Sequence, residues 1–175
     1  MEVNHMNKPA AHLSVWVGDK LVCIKIAGRA SFNCSVDFKT LINGLWQKGH
    51  QRFVLELTDC LLMDSTFLGV LAGLGLKFST PHNGDPKASI ELLNPNARIS
   101  DLLENLGVAH LFTTTKGPAP EVEKLNIVEP APASADRKEI SRTCLEAHQT
   151  LMDINPANIP KFKDVARFLA EDLQK

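Results

Sequence analysis

The stretch "MDSTFLGVL", Met63 to Leu71, sets a carboxylate and two hydroxyls, Asp64, Ser65 and Thr66, just before a run of apolar residues and glycine, where a strand is expected to join a helix. The first turn of a helix leaves backbone N–H groups without partners, and the aligned peptide dipoles add partial positive charge there. A Ser or Asp at that point satisfies free amides and contributes about 1 kcal/mol as a cap. The same donors also favour a phosphate carrying roughly −1.5 to −2 charges. Ser65 is therefore read in two ways, as a cap and as a candidate phosphorylation site.

Other chemistry is sparse. The histidines, His5, His12, His50, His82, His110 and His148, show no HExxH or other metal-ligand spacing, and no GxxxxGK or GxGxxG loop follows a strand. Cys23, Cys34, Cys60 and Cys144 form no CxxC pair and read as small core residues of a reducing compartment, so neither a metal nor a cofactor is expected. Gly69, Gly73 and Gly75 stand inside a helical stretch, where each costs about 1 kcal/mol relative to Ala, and they read as sites of close packing against the sheet. Glu171 and Asp172 are adjacent on a helix and point in different directions, which leaves them as surface charge rather than an acid–base pair. No residue set supports an enzyme.

The elements that must hold Ser65 follow from composition and pattern. With 175 residues, 44% of them hydrophobic, the chain can bury one domain and carry an extension. Its formal charge of −1 provides no field toward nucleic acid or an anionic membrane. No charged and apolar leader and no long apolar run is seen, which makes a cytoplasmic protein without a membrane span the expectation. Leu13 to Val17 and "KLVCIKIAG" form a hairpin ended by Gly28, and apolar residues from Ser35 to Trp46 recur at helical spacing until Lys48-Gly49. Then come a strand in "RFVLELTDC", a helix in "FLGVLAGLGLKF", a strand in "KASIELL", a helix from an Asn94-Pro95 cap to Gly107, and a short strand in "AHLFTT". Alternation of this kind predicts an α/β domain, a mixed β-sheet with helices packed against it, over residues 10–115.

Residues 116–135, rich in Pro and Ala, read as a semi-rigid linker. Beyond it, Asp136 and Glu139 resemble a capping box for a helix whose face carries Ile140, Cys144, His148 and Leu151. Asn155-Pro156 breaks it, and a second helix from about Pro160 carries Phe162, Val165, Ala166, Leu169 and Leu173. Residues 136–175 are thus a C-terminal αα-hairpin with an apolar face to cover.

The strand Phe53 to Leu57, a turn and "LLMDSTFLGVLAGLGLKF" together resemble the STAS domain, the family of bacterial anti-sigma factor antagonists and of the cytoplasmic domains of sulfate transporters. "LVCIKIAGRA" is similar to the family's second strand and "NPNARISDLLENLGVAHLF" to its closing helix and strand. The resemblance covers about 100 of the 175 residues. It implies a STAS-like fold and a regulatory protein-binding module, with the Ser after the Asp, here Ser65, phosphorylated by an anti-sigma kinase. An anti-sigma factor or serine kinase of the same system is the implied partner, and a homodimer stays open. The alternative is an unphosphorylated STAS scaffold or a subunit of a transport or signalling assembly.

The chain departs from the antagonist pattern at Phe67, where the pattern has Gly, and at Ser31, where it often has Asp. The expected partner-binding surface comprises Ser31, Asp64, Thr66, Phe67, Val70 and Leu74. Phe67, Val70 and Leu74 share one flank of a helix that is apolar nearly all round, so something should cover them. Docking of the C-terminal hairpin on that flank is the economical expectation.

Overall fold

The computed structural model describes residues 11–80, 84, 87–122, 125–128 and 135–175. The first ten residues, including His5, and His82 lie outside them. Strands β1 (His12–Val17) and β2 (Val22–Ala30) form the opening antiparallel hairpin, with Val15 opposite Ile24. β3 (Arg52–Glu56) lies parallel to β2, β5 (Ser89–Leu93) parallel to β3, and β6 (Thr113–Thr115) parallel to β5. Among the described residues the sheet has seven strands in the order β6-β5-β3-β2-β1-β7, where β7 is Asn126–Val128, with β4 (Cys60–Met63) paired to the end of β2.

Four of these strands differ from the expectation: β4 has no counterpart in it, and of the strand expected in "AHLFTT" only Thr113 and Thr114 belong to β6, because Ala109–Leu111 forms a turn of 3-10 helix. β2 does not end at Gly28: that residue adopts φ 88°, the register shifts between Gly28 and Arg29, and the strand leaves β3 to pair with β4 as far as Ala30. Gly28 marks a bulge, which a residue without a Cβ makes cheaply. The stretch read as linker supplies β7 (Asn126–Val128), which extends the sheet antiparallel to β1.

Strand alternation sorts the two faces. Ile24, Ile26, Phe53, Leu55 and Leu92 are fully buried, or nearly so, on the face that receives the helices. The opposite face carries Lys25, Arg52 and Glu91, with ion pairs from Lys25 to Asp59 and from Arg52 to Glu91. Helices α1 (Phe32–Gln47) and α2 (Ser65–Ser79) cover the apolar face. Phe78 of α2 joins the two layers, its ring 5.6 Å from Phe53 and 5.3 Å from Trp46 of α1.

Helix α1 starts earlier than its periodicity suggested, because Ser31 caps it and Phe32 and Asn33 form an exposed first turn that an apolar stripe cannot reveal. It ends as read, at Lys48 with Gly49 at φ 99°. For α3 (Ala97–Asn105) the cap is Asn96, whose Oδ1 accepts from Ile99 N at 2.9 Å. Asn94, the expected cap, instead sits at φ 56° and its side chain bonds Gly117.

The C-terminal pair α4 (Arg137–Ile154) and α5 (Ile159–Leu173) forms the outer layer. Asp136 caps α4 by accepting from Glu139 N at 2.8 Å. Helix α4 lies over α2 and α1, and α5 lies on α4. Along α5 only Ala166 is buried, while Val165, expected inside, is 40% exposed beside a still more exposed Phe168.

Candidate functional site

Asp64 stands where three elements meet: the end of β4, the N-terminus of α2 and the N-terminus of α1. Its Oδ1 accepts from Phe67 N at 2.8 Å and its Oδ2 from Phe32 N at 2.8 Å. One carboxylate thus satisfies a free amide on each of two helices and places negative charge at two positive dipole ends. The cap of α2 is therefore Asp64, and Ser65 is the first helical residue, with its hydroxyl available for another partner.

That partner is on α4. Ser65 Oγ lies 2.9 Å from His148 Nε2, and His148 Nδ1 lies 2.7 Å from the Cys144 carbonyl oxygen. A carbonyl oxygen can only accept, so Nδ1 carries a hydrogen; in the neutral ring Nε2 then offers its lone pair and the Ser65 hydroxyl donates to it. The imidazole is 5% exposed and packs on the ring of Phe162 from α5 at 5.1 Å. Next to it, Thr66 Oγ1 donates to Cys144 Sγ at 3.6 Å. Burial is the main influence on the Cys144 thiol and pushes it above its ordinary value; the Thr66 contact opposes this and the Asp64 charge adds to it. Burial likewise raises Cys34, in the first turn of α1, with a further upward push from Asp64.

The site residues expected from sequence divide into two groups. Ser31, Asp64 and Ser65 cluster, half-buried, at the shared helix ends. Thr66, Phe67, Val70 and Leu74 are buried inside the chain itself, so they present no open partner surface. Phe67 packs on Phe38 of α1, ring centroids 4.8 Å apart, while Val70 and Leu74 face the cleft between α1, α2 and α4. The hairpin does cover α2, but mainly along a different line: Ser65, Thr66, Gly69 and Gly73 lie under it. A Cβ placed on Gly69 would come within 2.5 Å of the Ala147 carbonyl oxygen, and one on Gly73 within 3.7 Å of Thr150 Cγ2. These two glycines serve the crossing with α4, not packing on the sheet. Gly75 faces Leu111 and Phe112 on another side of the helix.

Sequence reasoning did not assign His148 to the site, since it stands 83 positions from Ser65. The only hint was its place on the apolar stripe of α4, where an imidazole needs a polar partner. A Ser–His pair also evokes nucleophilic catalysis, but the cleft bounded by Lys39, Asn43, Val70, Lys77 and Thr150 includes neither Ser65 nor His148. Among the described residues no group of three or more His, Cys, Asp or Glu is placed to hold a metal ion, and no helix is long and apolar enough to cross a membrane.

Known structures share this architecture. The anti-sigma factor antagonist SpoIIAA in its unphosphorylated form superposes with a TM-score of 0.50 at 17% identity, over 65% of this chain and 91% of that one. The chain has the STAS fold. An anti-sigma factor antagonist from Mycobacterium paratuberculosis gives a TM-score of 0.50 at 12% identity, over 61% of this chain and 86% of that one. A Thermotoga maritima protein provisionally assigned to the same group gives 0.50 at 18%, over 60% and 86%. No protein-family model and no curated protein sequence matches the chain. The likeness to these structures covers 60 to 65% of this chain.

Proposed function

We propose that the chain is a regulatory protein-binding module working as an anti-sigma factor antagonist does, with Ser65 as its phosphorylation switch and an anti-sigma factor or serine kinase of the same system as its partner. The observation that carries this reading is the position of Ser65 at the first residue of α2, directly after the doubly bonded Asp64, in a STAS fold. Asp64 already caps the helix, which frees the Ser65 hydroxyl from that duty. Transfer of the γ-phosphoryl of ATP forms the Oγ–P bond, releases ADP and passes the hydroxyl proton to a base. The product places about two negative charges where a partner would have to desolvate them, so binding weakens while the fold persists.

The non-phosphorylated scaffold reading draws on one observation, the cover of His148 over Ser65. Incubation of the full chain with ATP and the anti-sigma kinases of its host, followed by intact mass and Phos-tag electrophoresis, separates the two. One added phosphate that is lost in Ser65→Ala is expected. Absence of modification with every kinase of that type supports the scaffold instead.

A further inference from the structure

We propose that the α4–α5 hairpin is a displaceable cover on α2, latched by the Ser65–His148 hydrogen bond and released when Ser65 carries a phosphate. The idea rests on the reading of Ser65 as a switch and concerns how that switch is transmitted.

The contact between α4 and α2 is close and leaves no space at Ser65. Besides Ala147 and Leu151, which are buried in the core shared with α2, it includes the Ser65–His148 bond at 2.9 Å, the Thr66–Cys144 contact at 3.6 Å and the glycine seam against Ala147 and Thr150. A phosphate on Ser65 Oγ has no room in a 2.9 Å hydrogen bond to a buried ring. Helix α4 cannot yield by settling closer, because the Ala147 backbone already lies where a Cβ of residue 69 would be. The new charge would also sit beside the Asp64 carboxylate under a low-dielectric roof, a combination that favours lifting the roof over keeping it.

Other bonds explain why the hairpin would move as a unit and stay attached. Within it, Asn158 Nδ2 donates to Leu151 O at 2.8 Å and His148 packs on Phe162. At the turn, Asn158 Nδ2 also donates to Leu106 O at 2.9 Å, and Lys161 Nζ to Asn105 O at 3.2 Å, which ties the pair to the end of α3.

The test is hydrogen exchange on the full chain with phosphoserine installed at position 65 by genetic encoding, which needs no kinase. Amides of α4 and α5 are expected to exchange at least about tenfold faster than in the wild type, with β3 and β5 unchanged. A Gly69→Leu chain, opened by steric clash, should give the same pattern and serves as the reference for the released state. If phosphoserine leaves the hairpin as protected as in the wild type, or protects it further by pairing with His148, the cover-and-release idea is wrong. Loss of protection in β3 and β5 as well would mean that the hairpin is an inseparable part of the fold, which also overturns it. The kinase assay above fails or succeeds independently, so the two proposals can fall separately.

Discussion

Strand β3 and helix α4 both lie against α2, but they are held there by different forces. β3 is hydrogen-bonded along both edges, with Leu55 opposite Ile24 of β2 and Leu92 of β5, and all three side chains are completely buried. Fully burying each such side chain contributes roughly 1.5–3 kcal/mol. α4 buries only Ala147 and Leu151 among its apolar side chains in the common core, and otherwise meets α2 through glycines and a few side-chain hydrogen bonds, each contributing about 1 kcal/mol net. Its partner α5 leaves Phe168 62% and Ile159 44% exposed. Loss of the first contact should unfold the domain, whereas loss of the second should open only the outer layer. A device meant to move belongs at the low-stability end of that range.

The largest effect should therefore come from β3. Leu55→Asp places a carboxylate between Ile24 and Leu92 without a partner and should cost more than about 4 kcal/mol. Thermal melting followed by circular dichroism should lose its cooperative transition. A variant melting within a few degrees of the wild type would show that β3 does not carry the domain, and the contrast with α4 would collapse.

The second test draws protons from buried thiols instead of introducing a charge by mutation. Burial, with a contribution from Glu56, pushes the Cys23 thiol to about 11, and burial pushes Cys60 to about 11, against an ordinary value of 9.0. Because both folded values are raised, the stabilisation is complete below pH 9 and is lost as pH climbs toward 11, where the unfolded chain gives up these protons first. Each thiol then removes about 1.4 kcal/mol per pH unit over that window, or about 3 kcal/mol in all. Chemical denaturation between pH 8 and 10.5 should show this slope, reduced in a Cys23→Ala, Cys60→Ala chain. Equal slopes in the two chains would mean that the thiols are not held neutral by the sheet.

How much of this was readable beforehand follows the same division. The alternation of β3 and β5 and the stripe of α1 were legible because they repeat over several residues and report one buried face. β4 is four residues long and β7 three, and short strands carry no period; what creates them is a neighbour, β2 or β1, offering a free edge. The cap of α3 was placed two residues early because Asn suits both a cap and the left-handed turn that Asn94 adopts. At the site, Asp64 and Ser65 were legible as a helix start, but their division of labour was not. It depends on Phe32 and His148, which lie 32 and 83 positions away from their partners. The role of Gly69 was likewise hidden, since a glycine in the sequence shows that something comes close without showing what.

The smallest expected effect falls on Asp64, which ties α1 to α2 beneath the hairpin. Its two oxygens serve two helices, so Asp64→Ala orphans the amides of both Phe32 and Phe67 and should cost about 2 kcal/mol, the sum of two typical caps. Asp64→Asn offers a further distinction. An amide side chain has one acceptor oxygen and one donor nitrogen, so it can cap α1 or α2 but not both, and it removes the charge that favours both dipoles. About half the loss is expected, at roughly 1 kcal/mol. Denaturant titration of the three chains should thus give evenly spaced midpoints, with α4 and α5 retaining their exchange protection relative to the rest of the molecule, since neither oxygen touches them. Identical midpoints for Asn and Ala would show that the charge and not the two-sided geometry matters. Selective loss of protection in the hairpin would show that Asp64 orients Ser65 toward His148, which would join cap and latch into one device.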